Sequence, residues 1–219
     1  MSVPADTFRR GPALSELREA PHGPLLEGRL RDLLAGKKIV MTGVTGFIGE
    51  QLLWKMLTEL PDTTPSVLVR RKGSAGAHDR VRSLLKKKIF AGLAEQHGGL
   101  DGLLGRVEVI EGDLPNVPAL PADLDVVVHC AGDVSFDPPI DQAFTTNVVG
   151  TQVLMERMLE AVTGPDGERT KVPHYVHIST AYTAGRRRGA IPEGGHVHEI
   201  DYEAETRAGL AMRAQVEAA

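Results

Sequence analysis

Residues Thr42-Gly43-Val44-Thr45-Gly46-Phe47-Ile48-Gly49 stand between a short apolar run, Lys38-Ile39-Val40-Met41, and a helical pattern, Gln51-Leu52-Leu53-Trp54-Lys55-Met56-Leu57. A strand that passes through a glycine turn into a helix constrains this chain more than any other feature. Gly43 lets the backbone turn sharply off the strand. Gly46 removes a side chain where a pyrophosphate would approach the main chain, and Gly49 lets helix and strand pack closely. The opening turn of the helix offers N–H groups and a partial positive charge to phosphates. The spacing is G-x-x-G-x-x-G, not the commoner G-x-G-x-x-G.

With 219 residues the chain can bury the core of one large domain. Hydrophobic residues make up 42% and charged residues 25%, an ordinary globular balance, and the net charge of −4 argues against a nucleic-acid partner. One cysteine, Cys130, permits no internal disulfide and suits a reducing compartment. The apolar runs fall short of a membrane span, and acidic and proline residues occupy the N-terminus where a signal peptide would be apolar. The expectation is a soluble, cytoplasmic protein.

Residues 1 to about 24 are rich in Pro, Gly and charge. A short helix over Leu25–Leu34 is expected to complete a leader of residues 1–36. Pro61 through Pro65 ends the first long helix, and Ser66-Val67-Leu68-Val69 reads as the second strand. A helical and loop segment from about Asp79 to Leu104 leads to a third strand at Arg106–Ile110. Asp125–His129, apolar throughout its middle, suits a fourth strand covered on both faces. Thr151–Val162 reads as a helix and Val172–Ile178 as a fifth strand. This alternation predicts an α/β fold, a doubly wound parallel sheet with helices on both faces. The domain is expected over residues 37–200, with 201–219 opening a further C-terminal part.

The end of the second strand bears on the choice of dinucleotide. A site that prefers NAD places a carboxylate there for the ribose hydroxyls. This chain has Arg70-Arg71-Lys72. An arginine there can pair with a 2′-phosphate through a bidentate fork, so NADP is the expected cofactor, with Arg70 and Arg71 as its ligands. A solvated basic loop would carry the same residues. Past the third strand, Asp113 of Glu111-Gly112-Asp113-Leu114 could accept the adenine amino hydrogen or simply cap the next turn. Cys130-Ala131-Gly132 ends the fourth strand with small side chains that leave room for a ligand across the sheet edge. The expected cofactor contacts are Gly43, Thr45, Gly46, Phe47, Ile48, Gly49, Arg70, Arg71, Asp113, Leu114, Cys130, Ala131 and Gly132.

Together these motifs resemble the extended short-chain dehydrogenases/reductases, and within them the fatty acyl-CoA reductases with a male-sterility-type NAD-binding domain. The glycine turn carries the wider likeness. The narrower one rests on Leu68–Gly73, on Val128–Asp137 with Asn147-Val148-Val149-Gly150-Thr151, and on Val176-His177-Ile178-Ser179-Thr180-Ala181-Tyr182. The insert containing Arg80-Val81-Arg82-Ser83-Leu84-Leu85 is also similar, and the likeness covers about residues 37–190. It implies a Rossmann-type fold and reduction of a fatty acyl thioester by NADPH to an aldehyde or alcohol. It also implies that Thr180, or Ser179 beside it, hydrogen-bonds the substrate carbonyl, and that Asn147 orders the helix and proton relay. In such enzymes a tyrosine donates the proton, and a lysine four residues on lowers its pKa.

That pair is absent. Tyr175, Tyr182 and Tyr202 are followed four residues later by Ser179, Arg186 and Thr206, and no lysine occurs after Lys171. Tyr182 and Arg186 mimic the spacing but fall in the loop beside Thr180, not on a following helix. The expectation is therefore a truncated sheet, the N-terminal part of a longer reductase that alone binds NADPH weakly at best and does not reduce acyl-CoA. Two rivals remain: an extended short-chain dehydrogenase or epimerase acting on a sugar nucleotide or sterol, and a non-catalytic dinucleotide-binding module.

Other signals are weaker. His174 and His177 fall on opposite faces of a strand, and no metal site is expected from them or from His196, His198 and Glu199. Cys130 beside His129 reads as a small buried thiol rather than a nucleophile. Arg186-Arg187-Arg188 could meet coenzyme A phosphates or only solvent. Lys86-Lys87-Lys88 would suit peripheral membrane contact or a charged helix face.

Overall fold

The computed structural model describes residues 29–169, 171–180, 182, 189–190 and 200–218. The chain divides into two units, Met1–Leu33 and Leu34–Ala219. Of the first, the described residues open a single short helix, α1 (Leu30–Leu34), whose start carries an Arg29–Asp32 ion pair at 3.7 Å.

The second unit is built on five parallel strands, β1 (Ile39–Thr42), β2 (Ser66–Val69), β3 (Glu108–Glu111), β4 (Val126–His129) and β5 (His174–His177), in the order β3-β2-β1-β4-β5. Central β1 pairs Val40 with Ser66 on one side and with Val127 on the other. The chain winds outward from β1 through β2 to β3, then returns to place β4 on the opposite flank. That reversal opens a crevice at the carboxyl ends of β1 and β4. Every residue of β1 and β2 is buried, as their unbroken apolar character requires in a sheet covered on both faces.

Strand alternation sorts the core into two layers. Ile39, Met41, Val67 and Val69 face α2 (Phe47–Glu59) and α3 (Ala77–Leu85), packing with Leu53, Leu57, Val81 and Leu85. Val40, Leu68 and Val127 face the other way, onto Leu154 and Met158 of the long helical run after β4. Burying side chains of this size contributes about 1.5–3 kcal/mol each.

Several element boundaries differ from the sequence expectation. The segment before β3 breaks into α3, a 3₁₀ turn (Lys88–Phe90), α4 (Ala91–Gln96) and α5 (Leu100–Leu104). Gly98 and Gly99, at φ +74° and +109°, divide the last two. The helix expected from Thr151 starts earlier, as α6 (Ile140–Ala143), a π-helical segment (Phe144–Val149) and α7 (Gly150–Glu160). Thr145, Thr146, Val148 and Val149 are β-branched and favour helix poorly, which hid this stretch.

Residues 201–219 belong to the same unit as the sheet. They form α8 (Tyr202–Glu217), opened by Asp201, whose carboxylate accepts the N–H groups of Glu203 and Ala204 at 3.1 and 3.0 Å. Gly209 lets α8 lie against Phe144: a Cβ there would stand 2.5 Å from the ring. Arg213 pairs with Asp141 at 3.1 Å across the same contact. Among the described residues no helix is long and apolar enough to cross a membrane.

Candidate functional site

A cavity of about 460 Å³ opens at the carboxyl edge of the sheet, over the glycine turn. This is ordinary for a small-molecule site. Gly43 leaves β1 at φ +72°, and a Cβ on it would lie 2.6 Å from the backbone of Cys130 and Ala131. A Cβ on Gly49 would meet the Gly43 carbonyl oxygen at 2.2 Å, so Gly49 serves contact with the turn itself. At Gly46 the nearest atom is 3.2 Å away and the residue lines the cavity, so the missing side chain there mainly enlarges the site. Gly46 caps α2 with no side-chain hydrogen bond, and Phe47, Ile48 and Gly49, whose N–H groups open the helix, line the cavity.

The basic side differs from the sequence reading at one arginine. Arg70 lines the cavity, with its guanidinium 3.9 Å from the Asp113 carboxylate. Arg71, expected beside it, is not among the lining residues; its Nε donates to Glu111 at 3.3 Å. Glu111 also accepts the N–H of Ala77 at 2.8 Å. That backbone bond first, and the Arg71 charge after it, hold the Glu111 carboxyl below its usual range. Successive residues leaving a strand point apart, and this sends one guanidinium to the cavity and the other to the β3 edge.

The second lining arginine is Arg80, from α3, which sequence reasoning placed only in the helical insert. Its Nη1 donates to the Arg70 carbonyl at 2.5 Å and its Nη2 to the Thr45 hydroxyl at 3.2 Å. Those two bonds fasten it over the glycine turn. The signal that could have found it is its position on the first helix after the basic strand end.

Asp113 and Leu114 both line the cavity. One Asp113 oxygen accepts the Leu114 N–H at 3.0 Å, so the carboxylate caps its own turn while facing the site. Opposite lie Cys130, Ala131 and Gly132. Burial pushes the Cys130 thiol pKa up, which makes it a poor nucleophile. Asn147 does not line the cavity but braces its wall. Its Oδ1 accepts the Asp133 N–H at 2.7 Å and its Nδ2 donates to the Asp133 carbonyl at 3.0 Å.

Ser179 and Thr180 follow β5 on the same sheet edge, both exposed and outside the cavity lining. The Thr180 hydroxyl accepts the Tyr182 N–H at 3.2 Å. Lys87 pairs with Glu50 on α2, so part of the triple-lysine segment is engaged within the fold. Among the described residues no cluster of His, Cys, Asp or Glu could hold a metal. Residues 186–188 and His196, His198 and Glu199 lie outside the described residues.

Comparison with known proteins gives a consistent picture. A profile of the male sterility protein family, an NAD-binding domain, matches residues 41–212. The chain is 29% identical over 163 residues to fatty acyl-CoA reductase 1 of Xenopus laevis, covering 70% of this chain and 30% of that protein. It is 27% identical over 173 residues to the chloroplastic fatty acyl-CoA reductase 2 of Arabidopsis thaliana, covering 73% and 27%. The chain thus spans about three tenths of the length of these relatives. Among solved structures, a thiolation-reductase di-domain from an archaeal non-ribosomal peptide synthetase superposes with a TM-score of 0.51 at 19% identity, over 84% of this chain and 48% of that one. A Bacillus cereus UDP-glucuronic acid 4-epimerase in complex with NAD gives 0.50 at 23%, over 82% and 50%. At these identities the structural likeness speaks for the fold.

Proposed function

The chain belongs to the male sterility protein family of NAD-binding domains, and from that premise we propose that it forms the cofactor-binding part of an NADPH-dependent reductase of fatty acyl-CoA thioesters. The class of enzyme, a nicotinamide-dependent oxidoreductase, follows from the family and its fatty acyl-CoA reductase relatives. The acyl-CoA substrate is carried over from the names of those relatives.

The preference for NADP rests on one observation: Arg70 and Arg80 line the same cavity, and Arg80 is tied to the Arg70 carbonyl and to Thr45 in the glycine turn. Two guanidinium groups beside the adenosine end of such a crevice suit a 2′-phosphate. The cradle also fits a dinucleotide: Gly46 lines it without a side chain, and the start of α2 presents its backbone there. Gly43, Gly46 and Gly49 would accommodate the pyrophosphate, Asp113 and Leu114 the adenine, and Cys130-Ala131-Gly132 the edge leading to the nicotinamide. When bound, the cofactor supplies the hydride. Thr180, whose oxygen accepts the Tyr182 N–H, retains a proton to offer a substrate carbonyl.

These 219 residues contain no Tyr-x-x-x-Lys pair beyond β5, so alone they bind NADPH only weakly and do not reduce acyl-CoA. The single cysteine, Cys130, permits no internal disulfide, which fits a cytoplasmic setting. Titration of the purified chain with NADPH and NADH, followed by incubation with long-chain acyl-CoA, tests the reading. Binding that favours NADPH at least tenfold, without turnover, is expected. Equal affinity for the two nucleotides overturns the NADP assignment, and turnover overturns the claim of inactivity. Tighter binding of a sugar nucleotide than of acyl-CoA would favour the epimerase-like alternative.

A further inference from the structure

His129 ends β4 with 1% of its surface exposed, yet both ring nitrogens are hydrogen-bonded. Nδ1 lies 2.7 Å from the Thr42 hydroxyl at the end of β1, and Nε2 lies 3.1 Å from the Thr151 hydroxyl on α7. The neighbours set the direction of each bond. Thr151 spends its one proton on the Asn147 carbonyl, 2.9 Å away, so it accepts from the ring and Nε2 carries the hydrogen. Nδ1 is then the acceptor and takes the Thr42 hydroxyl proton. Thr42 in turn accepts the Ala131 N–H at 3.1 Å.

Both arms of this chain end on the cavity wall. Thr42 holds Ala131. Asn147, whose carbonyl anchors the other arm, grips both main-chain groups of Asp133 through its side-chain amide. Gly132 lies between the two holds, where a Cβ would make a tight 3.2 Å contact with Asn147 Oδ1. The segment from Cys130 to Asp133 is thus fixed at two points, and both trace back to one imidazole. His129 itself does not line the cavity, which excludes direct contact with a ligand there.

We propose that His129, as the Nε2–H tautomer, is the positioning residue of the cleft, joining β1, β4 and the π-helical segment so that the 130–133 wall is held ready for the dinucleotide. The proposal rests on the dinucleotide reading of the cavity, but its hydrogen-bond chain exists in the unliganded protein and is measurable there. Both ring nitrogens are engaged by Thr42 and Thr151, so the ring acts through those partners and not as an acid or base on a bound molecule.

The test combines three measurements on the 219-residue chain. Nitrogen-15 NMR of the unliganded protein should show His129 protonated on Nε2 and bare on Nδ1; the opposite tautomer overturns the proposal. Amide hydrogen exchange at Ala131 and Asp133 should quicken at least tenfold in His129→Leu, with amides of β2 unchanged. NADPH affinity should fall in the order wild type, then His129→Asn and His129→Gln, then His129→Leu, the last at least tenfold weaker. Asn keeps an acceptor near Nδ1 and Gln a donor near Nε2, so each rescues one arm; if His129→Leu fails to fold, these two variants and the tautomer decide. Unchanged exchange at Ala131 and Asp133 in folded variants overturns the proposal. A wild-type chain that binds neither NADPH nor NADH overturns the proposed function instead, while tautomer and exchange still decide the role of His129.

Discussion

The Gly43 carbonyl oxygen sits so close to the Cα of Gly49 that a Cβ on Gly49 would stand 2.2 Å from it. The two residues clamp the start of α2 onto the turn that leaves β1. Gly46, between them, bears little of that contact: its nearest neighbour to a Cβ is that same carbonyl at 3.2 Å. Gly49→Ala should therefore lose about 3 kcal/mol, the upper end for overpacking a filled site, because the obstacle is backbone. Gly46→Ala should cost about 1 kcal/mol or less, since its φ of −91° suits any residue, yet should weaken NADPH binding. Denaturant unfolding of the two variants checks the contrast, and equal losses would contradict it.

Arg70 and Arg80 share the cavity while Arg71 turns to Glu111. Arg80→Ala should weaken NADPH about tenfold, roughly 1.4 kcal/mol, and leave NADH unchanged. Arg71→Ala should alter neither nucleotide by more than about twofold, because it removes only an exposed ion pair. Calorimetric titration separates the two. If Arg71→Ala proves the more damaging for NADPH, the assignment of guanidinium groups is wrong.

Burial, and then the neighbouring charge of His177 with ring centroids 4.9 Å apart, lowers the His129 pKa from 6.5 to about 4. The ring is neutral in the fold, whereas the unfolded chain protonates it near 6.5. Below that value the unfolded state binds the extra proton, so stability falls as pH drops from about 6.5 to 4 and is unaffected above. Full protonation corresponds to roughly 3 kcal/mol. His129→Gln should flatten this part of the stability–pH curve, measured by urea unfolding between pH 4 and 7. An unaltered slope would show that other groups produce it.

Asp125 joins three segments: its carboxylate accepts the Lys38 N–H and the Lys171 ammonium, each at 2.9 Å. Burial works to raise its pKa, but these bonds and the Lys171 charge hold it below the usual value of 3.8. The stabilisation is complete above that value and is lost as pH falls through the lowered one. Asp125→Ala should cost about 2 kcal/mol by leaving partners at the starts of β1 and β5 without their acceptor. A shift in melting temperature of less than about 2 °C would argue that water replaces the carboxylate without loss.

What could be read along the chain was the part that neighbours in sequence dictate. The turn at Thr42–Gly49 announced itself because strand, glycines and helix are consecutive, and Ser66–Val69 was found to the residue because apolar runs bounded by proline fit a covered strand. Helix α8 was missed although Asp201 and the acidic residues after it form a recognisable start. Its apolar face is weak, and it is stabilised by the fit of Gly209 against Phe144 and by the Arg213–Asp141 pair, contacts more than 60 residues apart in the chain.

Residue order thus dictated the α/β alternation, the glycine turn after β1 and the small-residue edge at Cys130–Gly132, since each depends on local backbone freedom and hydrophobic period. Folding in three dimensions chose which arginine faces the cavity, brought Arg80 from α3 to Thr45, and made His129 the link between Thr42 and Thr151. Those outcomes turn on side-chain direction and on distances between elements, which sheet order and helix packing set and which linear spacing does not encode.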